Sequence, residues 1–186
     1  HRQLIEKRRN QILDAAREEF STHGFARTTI DQVAHRAALG KGTIYQYFKN
    51  KKTLFLALGE RGMDRLKDRI LEGIEKESDP VKRIEIAVKT HLSFFEDNLE
   101  LAVILMQEQS EFRKKIQKRY FQHYYGRINK TREIFRLAVK EGLVKDIDID
   151  GMISILTSLL NGLIYMWQIE GMRYSLSSRL PVVLEV

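Results

Sequence analysis

Apolar residues recur every three or four positions along most of the chain, which is the period of an amphipathic α-helix. In the first segment, Ile12, Ala16 and Phe20 lie four residues apart, and Gly24 then offers a natural helix end. No stretch sustains an alternation of period two, and the chain contains only two prolines. The sequence therefore predicts an all-α protein.

Capping residues and turn residues set the expected helix boundaries. Thr29 followed by Gln32 matches a capping box, and Asp79-Pro80 suits the start of a helix. Asp148 or Asp150 is expected to cap the last long helix. The predicted helices span residues 4–22, 30–37, 41–48, 51–77, 80–98, 101–109, 112–141 and 150–170, with a last helix from 177.

The third and fourth of these helices mark the boundary between two predicted domains. The helix over 51–77 is roughly 40 Å long at 1.5 Å per residue, enough to connect them. Residues 1–52 carry eleven Lys and Arg against five Asp and Glu, whereas residues 53–186 carry twenty-one against twenty. A cationic module joined to a nearly neutral body favours phosphate binding by the first domain.

Composition narrows the protein class further. The chain has 186 residues, 43% of them hydrophobic, and no cysteine, so it needs no disulfide and a cytoplasmic location is expected. No export signal is recognisable at the start, where His1 stands in place of Met. Residues 152–169 carry no charge, but the polar residues spread through them favour a soluble helix over a membrane span.

Two short helices joined by residues 37–40 have the length and chemistry of a helix-turn-helix. Ile44 and Phe48 lie four residues apart on the inner face of the second helix, where they can pack against Phe20 and Leu54. The polar side chains between them remain available outside. The first domain, 1–52, is thus predicted to read DNA in the major groove.

The residues of this segment resemble the tetracycline-repressor (TetR/AcrR) family of transcriptional regulators. The matching stretches are ILDAA at 12–16, TTIDQVA at 28–34 and KGTIYQYFKNK at 41–51, with Phe20 and Gly24-Phe25 between them. The chain departs from the family at Ala38, usually Gly, and at Gly40, usually Ser or a similar cap. Alanine at a turn position that favours positive φ implies strain or a shifted turn.

The resemblance implies a set of DNA contacts. Lys51, Tyr45 and the Thr29 hydroxyl are expected on phosphates, whereas Lys41, Gln46 and Tyr47 are expected near base edges. Tyr45 could equally pack into the core, and the lysines could be ordinary surface residues. The complete predicted set is Thr29, Lys41, Gly42, Thr43, Tyr45, Gln46, Tyr47 and Lys51.

The resemblance also implies that residues 53–186 form a helical effector-binding bundle whose last two helices pair with a second subunit. The helix over 152–169 is apolar on every side, which suits burial on its own core and on a partner. The alternative is a central core helix of a monomer. The predicted homodimer contacts are Leu156, Leu160, Leu163, Ile164 and Trp167.

Aromatic residues are dense in this second domain. Most must be core, and a minority could line an apolar pocket for a small molecule. The stretch from His91 to Lys115 resembles the fatty-acyl-responsive branch of the family, so a fatty acid or acyl-CoA is favoured over a multidrug-type ligand. The candidate pocket residues are Met63, Phe95, Leu105, Gln109, Tyr120, Tyr124, Asn161 and Tyr165.

Two other features leave alternatives open. The basic residues from Arg113 to Arg119 could meet an anionic head group, or could be a solvated helix face. A DNA-binding dimer without a sensor is the main rival function, and an all-α enzyme is a weaker one. The five histidines are scattered without metal-ligand spacing, so neither a metal nor a cofactor is predicted.

Overall fold

The computed structural model describes residues 2–145 and 148–185, without the side chains of 108–128. The chain is all-α, which confirms the predicted fold class. Most predicted boundaries lie within two or three residues of those observed. The helices are α1 Arg2–Arg27, α2 Ile30–Arg36, α3 Lys41–Tyr47, α4 Lys51–Glu75, α5 Pro80–Asp97, α6 Leu99–Lys140, α7 Ile149–Ile169 and α8 Leu180–Glu185, with a 3₁₀ turn at Leu176–Arg179.

Helix α6 differs most from the sequence-based expectation. The sequence predicted two helices, 101–109 and 112–141, but the structure has one helix, Leu99–Lys140. Residues 109–112 contain neither proline nor glycine, so no residue there breaks the backbone hydrogen bonds. The helix therefore continues through the stretch where the sequence predicted a break.

The chain divides into two compact units. The first unit comprises residues 1–64 and 98–113, and the second unit comprises residues 65–97 and 114–186. These units are defined by contacts, and the domain boundary predicted between residues 52 and 53 stays a prediction. Both α4 and α6 contribute residues to both units.

The first unit is built around an aromatic cluster. The rings of Phe20 and Phe55 are 4.9 Å apart edge to face, and those of Phe25 and Phe55 are 5.0 Å apart. Edge-to-face rings are favourable beyond their buried area. Helix α1 turns at Gly24, whose φ of 75° is left-handed, so Phe25 can reach this cluster.

The start of α6 completes the first unit. Gln107 Oε1 accepts a hydrogen bond from the backbone N–H of Phe25 at 3.1 Å. Gly62 of α4 lies so close to Leu101 of α6 that a methyl group at this glycine would overlap the leucine side chain. Residues far along the chain thus hold the last turn of α1, which follows the kink at Gly24.

The second unit packs α5 against α7, α8 and the 3₁₀ turn. Phe94 and Phe95 of α5 and Trp167 of α7 are all buried. Trp167 Nε1 donates to the carbonyl of Tyr174 at 2.7 Å. Burial would raise the pKa of Glu96, but hydrogen bonds from the 3₁₀ turn outweigh it and lower that pKa. The carboxylate thus holds the C-terminal segment to α5.

Helix α7, Ile149–Ile169, is long and apolar enough to cross a membrane, with a mean hydropathy of 1.4, and is the single such helix in the described part of the chain. Length and composition alone are weak evidence for a span, because core helices share them. Ile153, Leu160, Ile164 and Trp167 of α7 are buried within the protein. One face of α7 thus packs within the protein, while most of its other residues are exposed or half-buried.

We expect Ala38→Gly to raise the free energy of unfolding by about 0.5–1 kcal/mol, because a left-handed conformation is costly for a residue with a Cβ atom. Ala38 has φ 50°, so the strain predicted from sequence is present in the turn. Urea unfolding at fixed protein concentration measures the change. Ala37→Gly is the matched control: Ala37 has φ −74°, so glycine should destabilise there. A higher free energy of unfolding for both variants would contradict the claim that Ala38 is strained by its positive φ.

Candidate functional site

Helix α2 is fixed at its start by the predicted capping box. The Gln32 N–H donates to Thr29 Oγ1 at 3.2 Å, and the Thr29 N–H donates to Gln32 Oε1 at 2.7 Å. At the other end, Arg36 pairs with the buried carboxylate of Glu19 in α1. That hydrogen bond raises the pKa of Arg36. Helix α2 is therefore both capped and tied to α1.

The turn between α2 and α3 gives the motif its shape. The N–H of Leu39 returns to the carbonyl of Ala34 at 2.9 Å, which is possible because Ala38 is left-handed. Gly40 is extended, with φ −72°, and caps α3 without a side chain. The two short helices therefore form the predicted helix-turn-helix.

Helix α3 separates packing from exposure. Ile44 is fully buried, and Phe48 just after the helix is 5% exposed, so these two residues anchor it. The residues left exposed or half-buried are Lys41, Gly42, Thr43, Tyr45, Gln46 and Tyr47. They are the α3 residues that the sequence assigned to DNA, and their contacts with DNA stay a prediction.

Lys41 is engaged with the neighbouring helix. Its Nζ lies 2.7 Å from Asp31 Oδ2 of α2, and this hydrogen bond raises the pKa of Lys41. Both side chains are exposed, so water screens the pair. The ammonium can therefore exchange this carboxylate for an acceptor on DNA.

The predicted role of Lys51 needs correction. Its Nζ donates to the carbonyls of Phe25 at 2.8 Å, Ala26 at 3.2 Å and Thr28 at 2.9 Å. An ammonium has three donors, so none remains for a phosphate. Lys51 instead satisfies carbonyl groups at the end of α1 and just beyond it, and holds them beside the start of α4.

Lys49 is a candidate that the sequence interpretation missed. Asn50 and Thr53 cap the start of α4 reciprocally: the Thr53 N–H donates to Asn50 Oδ1 at 2.9 Å, and the Asn50 N–H donates to Thr53 Oγ1 at 3.1 Å. Lys49 precedes this cap and is exposed. The spacing Asn-x-x-Thr was the available signal, because it places residue 49 outside the helix.

Helix α7 has an inward and an outward face, and the predicted homodimer contacts divide unevenly between them. Leu160, Ile164 and Trp167 are buried in their own unit, so the assignment of these three to a partner needs correction. Leu156 and Leu163 are half-buried. The apolar residues exposed on this helix are Ile155, Tyr165, Met166 and Ile169.

The candidate ligand residues are not gathered at one place. Phe95 is buried in the second unit, whereas Met63 and Leu105 are half-buried in the first. Asn161 and Tyr165 are exposed on the outward face of α7, which corrects their assignment to an interior pocket. The helical period explains the error, since neighbours of the inward residues 160 and 164 point outward. The side chains of Gln109, Tyr120, Tyr124 and Arg113–Arg119 lie outside the described residues.

Two family models together match most of the chain. Residues 12–58 match the model described as bacterial regulatory proteins of the tetR family. Residues 60–186 match the model described as the C-terminal region of YsiA-like proteins.

Individual proteins align along almost the whole length. The fatty acid metabolism regulator protein of Bacillus subtilis is 23% identical over 177 residues, covering 95% of this chain and 91% of that protein. The structure of FadR from B. subtilis in complex with stearoyl-CoA has a TM-score of 0.84 at 23% identity, covering 94% of this chain and 95% of that chain. The fatty acid degradation regulator FadR from Bacillus halodurans has a TM-score of 0.85 at 22% identity, covering 96% of this chain and 93% of that chain.

Proposed function

The chain belongs to the TetR family of bacterial regulatory proteins, and on that premise we propose that it is a homodimeric repressor that a long-chain acyl-CoA releases from operator DNA. The observation that carries the DNA-binding part is the exposed polar face of α3, anchored from behind by Ile44. Several relatives are named as transcriptional regulators, which supports this proposal. That this chain is no enzyme and acts in the cytoplasm is part of the proposal.

The proposed DNA contacts follow from exposure and donor availability. Lys41, Gln46 and Tyr47 reach base edges in the major groove, because their side chains leave the outer face of α3. Thr29 and Tyr45 contact phosphates, and Lys49 takes the phosphate contact first assigned to Lys51. Gly42 and Thr43 lie against the DNA backbone at the start of α3.

The proposed effector rests on the B. subtilis relative, which has been crystallised with stearoyl-CoA. Residues 60–186 of this chain, where the effector would bind, match the model of the C-terminal region of YsiA-like proteins. A long acyl chain suits a helical bundle rich in aromatic residues. The basic residues within 113–119 would bind the phosphates of coenzyme A. A multidrug-type ligand is the second choice.

The proposed homodimer pairs the outward face of α7 with its copy. Ile155 is 66% exposed and Ile169 is 59% exposed, and between them Gly162 would allow close approach of a second helix. A single helix-turn-helix makes few contacts with DNA, whereas two related by symmetry read two half-sites.

A direct experiment tests the function. Operator sequences are selected from random DNA with the purified full chain, and binding is measured by fluorescence anisotropy with and without stearoyl-CoA. We expect tight, salt-dependent binding that stearoyl-CoA weakens. Specific binding that no acyl-CoA or multidrug-type ligand alters would instead support a DNA-binding dimer without a sensor. Absence of specific binding would refute the repressor.

We expect Gln46→Ala to reduce discrimination at particular base pairs by about 1–3 kcal/mol, because a glutamine amide can make a bidentate contact with adenine. Affinity for random DNA should change little, since no phosphate contact is removed. Anisotropy titrations against the operator and its single-base variants measure the effect. Equal losses on operator and random DNA would show that Gln46 does not read bases.

A further inference from the structure

His91 of α5 has a buried polar atom that the protein itself does not use. Its Nε2 is fully buried and, among the residues that the structure describes, has no hydrogen-bond partner. Buried polar groups are nearly always hydrogen-bonded, because an unpaired one loses its interaction with water without replacement. The exceptions are often groups that await a ligand or water.

The neighbours of this imidazole on α5 itself are apolar. The Phe95 ring, one helical turn further along, lies 5.3 Å from it, and Val88 and Leu92 on the same helix are buried. Among the candidate ligand residues whose side chains the structure describes, Phe95 is the one buried in the second unit. His91 Nε2 is thus an unpaired polar atom beside apolar neighbours on α5.

The protonation state of the His91 imidazole limits the ligand groups that Nε2 can bind. Burial lowers the pKa of His91 to about 4, so the imidazole is neutral at physiological pH. A neutral ring offers no charge to a carboxylate or phosphate, but with the proton on Nε2 it donates well to a neutral carbonyl. An acyl thioester carries one such carbonyl beside its hydrocarbon chain.

We propose that His91 Nε2 donates a hydrogen bond to the thioester carbonyl oxygen of the bound acyl-CoA. His91 then fixes how far the acyl chain enters the second unit and distinguishes a thioester from other long-chain ligands. The proposal rests on the proposed acyl-CoA effector and adds the residue that recognises the carbonyl.

The test compares two ligands that differ only at this carbonyl. Stearoyl-CoA has a thioester, whereas S-octadecyl-CoA replaces the carbonyl by a methylene group. Titration calorimetry with the wild-type dimer should show a preference of about 3- to 10-fold for stearoyl-CoA, as expected for one net hydrogen bond. Because this arm uses the wild-type protein, it does not depend on the folding of a variant.

Two variants assign the preference to His91. His91→Leu should bind both ligands alike, and its unliganded melting temperature should equal or exceed that of the wild type, because an unpaired polar group has been removed. His91→Gln, whose amide Nε2 can donate from a similar position, should keep the preference.

Each other outcome has a distinct meaning. A wild-type protein without the preference, or a His91→Leu variant that keeps it, overturns the role of His91 and leaves the acyl-CoA effector standing. A lower melting temperature for His91→Leu with an unchanged preference would show that the imidazole has a structural role, and it also overturns the proposal. No binding of stearoyl-CoA to the wild type overturns the effector and this inference together.

Discussion

Replacing Lys51 by methionine is expected to lower the free energy of unfolding by about 1.5–3 kcal/mol, the range for hydrogen bonds made by charged groups. The ammonium binds the carbonyls of Phe25, Ala26 and Thr28, and methionine keeps the aliphatic stem while removing every donor. Urea unfolding and operator binding should both be affected, because the turn between α1 and α2 positions the helix-turn-helix.

Lys49→Met is the matched control, two residues away. It should leave the unfolding free energy within about 0.5 kcal/mol of wild type. Operator binding should weaken, and the slope of log affinity against log salt should become shallower by about 1, as for one lost phosphate contact. If Lys51→Met instead keeps wild-type stability and makes the salt slope shallower, the phosphate contact first predicted for Lys51 would be right.

Saturating stearoyl-CoA is expected to weaken operator affinity about 5- to 150-fold, the usual range of a coupling free energy of about 1–3 kcal/mol. The ligand should act without contacting α3. Helix α4, Lys51–Glu75, begins shortly after α3 and continues into the second unit. A displacement at one end of α4 can therefore move its other end. Helix α6 adds a second route, because its Gln107 holds the N–H of Phe25.

Linkage makes the coupling reciprocal, and this supplies the measurement. Operator DNA should weaken the binding of stearoyl-CoA by the same factor by which stearoyl-CoA weakens DNA binding. Calorimetric titration of the ligand into the free dimer and into the dimer–operator complex determines that factor. Equal ligand affinity in the two titrations would eliminate an allosteric mechanism and leave direct competition or no induction.

The helix-turn-helix could be predicted from sequence because its determinants are local. The Thr29–Gln32 capping box, the buried Ile44 and the strain at Ala38 all involve residues within a few positions of one another. The role of Lys51 could not be predicted this way. A lysine beside a DNA-reading helix suits a phosphate, and only the tertiary structure shows that carbonyls more than twenty residues earlier take its donors.

The C-terminal assignments were weaker for a related reason. Helix α7 was interpreted as apolar on every side, although Ser154, Ser158 and Asn161 recur at the helical period and are exposed. That weak polar stripe separates Leu160, which packs inward, from Ile155, which is exposed. The aromatic residues raised a similar difficulty, since density of rings indicates a core without saying which rings face a ligand. The unpaired Nε2 atom of His91 gave no sequence signal, because an unpaired buried atom is recognisable only in three dimensions.

The first unit is formed by two separate stretches of the chain, and this affects how hybrids of such regulators must be built. A hybrid that joins residues 1–58 of this chain to the remainder of a relative would keep Phe25 but lose Gln107 and Leu101, which belong to the same unit. The α6 of the relative would then have to replace the contacts that Gln107 and Leu101 make with the end of α1 and with α4. Operator specificity should transfer cleanly only when residues 98–107 are exchanged together with the helix-turn-helix, which makes this an exchange with three crossovers.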